Sequence, residues 1–220
     1  MSPRTAEERT RARASDTSET AQCSTVVISH RTLEPFLGVA FDAYKGCSPR
    51  KPPSSFALLL GTLRNGRALI QATEFADNVR SADTAAAEEF RTTIIPRFGT
   101  AYANMHRGFW CDSRDLLRVH KRAAGLGLDI LGSIHLHPDW HRMGPPHERG
   151  LQISEAPTPM DAYMFGNTGW PVNMICYVER QDEWLSYALG AWSPPPGPQE
   201  TACAPLRLQF HDPGERRGKK

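Results

Sequence analysis

A chain of 220 residues, 40% of them hydrophobic, is long enough to form one domain with an ordinary core. Its formal net charge of +2, without a basic face or interleaved aromatic and basic residues, excludes a typical nucleic-acid binder. No apolar run is long enough to span a bilayer, and Met1–Gln22 lacks the apolar centre of a secretory signal.

Residues 1–24 are polar and aperiodic and read as a disordered lead-in to a domain over 25–193. A short strand is expected at Val26–Ile28. From Thr32 the apolar positions Leu33, Phe36, Leu37, Ala40, Phe41 and Tyr44 follow helical spacing, with Gly46 as the stop. Phe56–Leu60 and Ala68–Phe75 flank Asn65-Gly66, a strong signal for a two-residue hairpin turn. A helix is expected over 83–101, ended or kinked by Pro96. A second, Ser113–Leu126, turns Leu116, Leu117, Val119 and Ala123 inward. Asp129–His137 reads as a strand and 139–157 as a long polar loop. A helix start at Pro159 and two strands, Val172–Glu179 and Trp184–Trp192, complete the domain. Residues 194–220 read as a Pro-rich linker and a frayed tail with room for one short strand, Leu206–Phe210. The order of elements predicts an α/β fold, a single layered domain with a mixed β-sheet flanked by helices. The five cysteines, Cys23, Cys47, Cys111, Cys176 and Cys203, are odd in number and form no CxxC pair. Reduced thiols in a cytoplasmic setting are the expectation.

His135 and His137 are two apart, so on a strand both rings face the same way. Pro138 stops that strand. Asp161 follows in the first turn of a helix opened by Thr158 and Pro159, where T-P-M-D also reads as a capping box. Two imidazoles and one carboxylate make a three-ligand zinc site with a fourth position open. His141 and His147 read as solvated loop residues, and Trp140 as either a partner contact or loop packing. A zinc nucleoside deaminase is excluded, since that chemistry needs H-x-E and P-C-x-x-C.

Leu58-Leu59-Leu60-Gly61, Gly132, His135, His137, Pro138, Thr158 and Asp161 occur in an order that resembles the JAB/MPN domain in its JAMM metalloprotease form. The similarity covers about Thr32 to Trp192. It implies a hydrolase with Zn²⁺ on His135, His137 and Asp161, and a hydroxyl at Thr158 that helps stabilise the oxyanion. It implies a ubiquitin-like or sulfur-carrier protein as substrate, cleaved at a peptide or isopeptide bond in its C-terminal tail. Zinc polarises the scissile carbonyl, and a carboxylate carries the proton to the leaving amine.

The chain departs from the family pattern in three places. Leu136 stands between the histidines, the gap before Asp161 implies an insertion around 139–152, and Ser54 occupies the place of the catalytic glutamate, beside Ser55. A two-residue turn sets Ser54 opposite Asp77 and Ala57 opposite Glu74, which favours Asp77 as the substitute base; a one-residue slip favours Glu74 instead. Glu155 is a third candidate. The alternative reading is a catalytically inactive MPN-like scaffold that binds a partner protein.

Overall fold

Asn65 and Gly66 take positive φ, +51° and +71°. A type I′ turn needs both, and its twist matches that of the strands it joins. Those strands are β2 (Phe56–Arg64) and β3 (Arg67–Phe75), with Arg64 paired to Arg67. The pairing then shifts by one residue between Leu60 and Gly61. A Cβ on Gly61 would lie 2.0 Å from the Leu69 carbonyl oxygen, so only glycine allows this close approach. Beyond the bulge Leu58 faces Glu74 and Ala57 faces Phe75. This corrects the register expected from the turn alone, because one extra residue moves the rest of the strand to the other face.

The computed structural model describes residues 22–145, 147, 149, 157–197, 200 and 202–211, and of Trp140 and His141 the backbone alone. The lead-in expected over 1–24 falls mostly outside the described residues. The other elements are β1 (Thr25–Ile28), α1 (His30–Lys45), α2 (Thr84–Glu89), α3 (Ile95–Phe98), α4 (Ser113–Gly125), β4 (Asp129–Pro138), α5 (Trp140–Met143), α6 (Pro159–Thr168), β5 (Val172–Gln181), β6 (Trp184–Trp192) and β7 (Arg207–Phe210). Ser29 caps α1 by accepting from the Thr32 amide, and Gly46 ends it. The helix expected over 83–101 is interrupted. Between α2 and α3 the chain widens into a π-helical turn, Phe90–Ile94, just before Pro96. Pro96 lacks an N–H and would clash with the carbonyl four residues back, which a wider turn relieves.

The strands form one mixed sheet in the order β6-β5-β4-β2-β3-β1-β7, so the domain is α/β with helices on both faces. On one face α1 buries Leu33, Phe36 and Ala40 in a core with Ala57, Leu59, Ile134 and Leu136. On the other, α4 sets Val119 and Ala123 against Leu58 and Leu60, and α6 sets Phe165 against Ile175, Tyr177 and Trp192. Leu117, expected inward, is 54% exposed, because the buried stripe of α4 runs through 116, 119 and 123. β7 pairs in parallel with β1, and the Leu206 amide donates to the Ala191 carbonyl at the end of β6. The two edges of the sheet thus meet and nearly close a barrel. The short strand expected at Leu206–Phe210 is β7, and it carries the sheet past residue 193, into the segment expected as linker and tail. No helix among the described residues is long and apolar enough to cross a membrane.

Candidate metal centre

β4 lies between β2 and β5, antiparallel to the first and parallel to the second. His135 faces Phe56 on β2 and Ile175 on β5, and His137 faces Tyr177. Both imidazoles are buried on the side covered by α4 and α6, while Leu136 between them packs in the α1 core. The strand period of two produces this division. Gly132 allows it, since a Cβ there would lie 1.6 Å from the Val172 carbonyl oxygen. Aromatic rings fix the imidazole planes: Phe109 lies 5.3 Å and Phe165 6.0 Å from His135, and Tyr177 lies 5.4 Å from His137. Past Pro138 the chain turns at Asp139, whose φ is +39°. The buried Asp139 carboxylate accepts from the Tyr44 hydroxyl, from Arg142 Nη2 at 2.5 Å and from the Arg180 amide at 3.1 Å, which ties the end of β4 to α1, α5 and β5.

The third group comes from α6. Thr158 caps this helix, and the capping box is complete in both directions. The Asp161 amide donates to Thr158 Oγ1 at 3.1 Å, and the Thr158 amide and hydroxyl donate to Asp161 Oδ2 at 2.9 and 2.7 Å. The carboxylate is thereby turned toward the histidines. His135 Nε2 and His137 Nε2 are 3.0 Å apart, Asp161 Oδ1 is 3.3 Å from the first, and Asp161 Oδ2 is 3.5 Å from the second. A tetrahedral ion bound at about 2.0–2.1 Å has ligands about 3.3 Å apart. The carboxylate spans the two imidazoles, one oxygen near each at about that distance, and one ligand atom from each residue lies within 4.8 Å of the others, so these buried residues could hold a divalent metal ion.

Electrostatics agrees with that donor set. Burial pushes His137 below its ordinary value, against the opposing pull of Asp161, and so favours the neutral imidazole a metal requires. Burial by itself would raise Asp161, but His137 first, then His135, hold it well below the usual carboxylate range. The carboxylate is therefore held in its ionised form, facing the ring nitrogens of both histidines.

The cluster opens into a narrow cavity of about 50 Å³. Phe109, Met160, Met164 and Phe165 form its apolar wall, and Ser54, Ser55, His106 and Arg107 its polar rim. Of the predicted site residues, His135, His137 and Asp161 come together, with Thr158 beneath them. The Thr158 hydroxyl is already engaged at both its oxygen and its hydrogen by Asp161, so it positions the ligand. Glu74 shares the histidine face, as the slipped register requires, but Arg122 Nε holds it at 2.9 Å and Arg118 lies at 3.9 Å. Asp77 is exposed and joins the start of α4 through its backbone. Neither acid lines the cavity, which corrects the expectation that one of them replaces the missing glutamate. Glu74 is drawn to the arginines of α4, and Asp77 is tied to the start of that helix by its backbone. Glu155 lies outside the described residues. His147 is exposed and lies beside Gly99, apart from the cluster.

Sequence reasoning missed the loop 106–109 and Asn78. Asn78 Nδ2 donates to Ser54 Oγ at 2.8 Å and to the Gly108 carbonyl at 3.3 Å, while Oδ1 accepts from the amides of Arg80 and Trp110. The signals were an Asn two residues ahead of an Arg and a lone His-Arg-Gly, too common to single out.

No protein-family model matches the chain, and no curated protein matches it. Among solved structures, it is similar to a protein of Desulfitobacterium hafniense determined in solution, with 13% identity and a TM-score of 0.52 over 88% of this chain and 97% of that one. A solution structure of a protein from Salinibacter ruber matches with 22% identity and a TM-score of 0.45, over 85% and 92% of the two chains. At such identities the first likeness concerns the fold alone.

Proposed function

We propose that the protein is a zinc-dependent hydrolase of the JAMM kind, acting on a peptide or isopeptide bond in the C-terminal tail of a ubiquitin-like or sulfur-carrier protein. The observation that supports this reading is the convergence of His135 Nε2, His137 Nε2 and the Asp161 carboxylate, with separations of 3.0, 3.3 and 3.5 Å, beside a buried cavity. When bound, zinc would supply Lewis acidity, polarising a carbonyl and acidifying water. The chain's own residues have separable tasks. His135, His137 and Asp161 hold the ion, and Thr158 orients Asp161. Phe109, Met160, Met164 and Phe165 keep bulk water away. Apart from the ligands, His106 is the imidazole in the lining among the described residues, and the role of proton carrier passes to it in this reading. A cytoplasmic location fits the five cysteines, all free thiols.

A second reading has its own observation. Among the described residues no carboxylate other than Asp161 lines the cavity, and its free space is small. That favours a metal-bearing module that binds a protein partner without cleaving it. Metal analysis of untagged protein decides the shared premise: about one zinc per chain is expected, with loss on His135→Ala. Finding no zinc in the wild type would sink both readings. Incubation of the zinc-loaded chain with tail-fused ubiquitin-like proteins then separates them. Cleavage that falls in His106→Gln with zinc retained supports the enzyme, and zinc without cleavage supports the module.

A further inference from the structure

Ser54 stands where the carboxylate was sought, and its surroundings define what it can do. The Leu136 amide donates to the Ser55 carbonyl at 3.0 Å, so the β2–β4 ladder runs one step past Phe56 and His135. A further step in the same register sets Ser54 opposite His137. Cross-strand partners share a face and lie about 5 Å apart at Cβ. Ser54 thus faces the ligand side of the sheet, and it lines the cavity.

The direction of its hydroxyl follows from Asn78. The amides of Arg80 and Trp110 donate to one oxygen of the Asn78 side chain, at 3.1 and 2.9 Å. Two backbone donors on one atom identify that atom as Oδ1 and fix the orientation of the amide. Nδ2 must then face Ser54, and Ser54 Oγ accepts from it. A hydroxyl that accepts from Asn78 still has its own hydrogen to give. Among the described residues Ser54 makes no other hydrogen bond, and it lines the cavity half-buried, so its hydrogen is available to an acceptor there. Thr158, a further hydroxyl at the cluster, cannot fill this role because its proton goes to Asp161 Oδ2.

We propose that Ser54 is the hydroxyl donor of the site and that Asn78 is its positioning residue. Together they hydrogen-bond an anionic oxygen, such as a carboxylate or hydroxamate oxygen, held beside His135, His137 and Asp161. Arg107 on the same rim adds positive charge to that position. The inference rests on the metal reading above, and the experiment keeps the two apart.

The test titrates acetohydroxamate into the zinc-loaded full chain by calorimetry, after measuring zinc content and the thermal melt of each variant. Ser54→Ala is expected to weaken binding about 10-fold, because the lost bond is to a charged oxygen. Ser54→Thr should bind like the wild type. In Asn78→Asp one carboxylate oxygen still accepts the two amides, but the other now accepts the Ser54 hydrogen and withdraws it from the cavity. Its affinity should also fall about 10-fold although the serine is intact. The double variant should lose no more than either single one, since both act on one hydrogen bond. Wild-type affinity in Ser54→Ala at full zinc content would overturn the proposal, and additive losses would overturn the role of Asn78. A wild type that takes up no zinc would overturn the metal reading and this inference with it.

Discussion

The two walls of the cavity are built by different physics. The ligand wall is set by regular structure: a strand period of two places His135 and His137, and a helix cap places Asp161. The facing wall is gathered largely around one side chain, with a short backbone bridge at Asn78 and Cys111 beside it. Asn78 gathers Ser54, Gly108, Arg80 and Trp110, and so holds a loop and a strand entry that share no regular pairing. A wall made of backbone register tolerates no shift, whereas a wall made of side-chain hydrogen bonds can change its chemistry by a single substitution. Ser54, where a carboxylate was expected, stands on the second kind of wall.

This contrast can be broken most forcefully at Gly132. Gly132→Ala puts a methyl group into the Val172 carbonyl and forces β4 from β5. A loss of at least about 3 kcal/mol is expected from overpacking between two backbones. A thermal melt should show a drop of about 10 °C, and an unchanged melting temperature would mean that β4 is not packed as described.

Next in size is the ligand set. On the proposed zinc reading, Asp161→Ala should weaken zinc by at least about 100-fold, read by competition with a chromophoric chelator, because each ligand carries a large share of the binding energy. Thr158→Ala should weaken zinc about 10-fold and cost about 1 kcal/mol, since it removes both the helix cap and the clamp on Asp161. If Thr158→Ala costs stability but leaves zinc affinity intact, the clamp has no bearing on the metal.

The metal-free protein should be sensitive to acid with a definite sign. His137 is held below its ordinary value and Asp161 well below its own. In each case the unfolded chain binds a proton before the folded one does. Stability is therefore fully present above the unfolded values and is lost as pH falls from about 6.5 for His137, then from about 4 for Asp161. Calorimetric melts from about pH 8 to pH 4 check this, and His137→Gln should flatten the first part of the fall.

The smallest effect is expected at Glu74. Its partners Arg118 and Arg122 are half exposed or more, so Glu74→Gln should cost at most about 1 kcal/mol. Zinc affinity should not change. A loss of zinc in this variant would return Glu74 to the site.

Much of the ligand wall was legible because its rules are local. Alternation places both histidines on one face, and T-P-M-D states its own cap and its own first-turn acid. The Asn65-Gly66 turn and the helix ending at Gly46 were legible for the same reason. The acids failed because their faces depend on a bulge between Leu60 and Gly61, and that bulge answers to a close contact across strands. Leu117 failed because a helix with several apolar positions does not declare which stripe its neighbours will cover.

By itself, then, the sequence determined the element order, the α/β class and the set His135, His137 and Asp161, since each follows from spacing along a few residues. Tertiary structure alone decided that β7 joins β1 and nearly closes the sheet. It also decided that Arg122 takes Glu74 away from the cavity, and that Asn78 meets Ser54 across 24 residues of chain. Those contacts join residues whose spacing carries no period, so their partners exist only once the layers have packed.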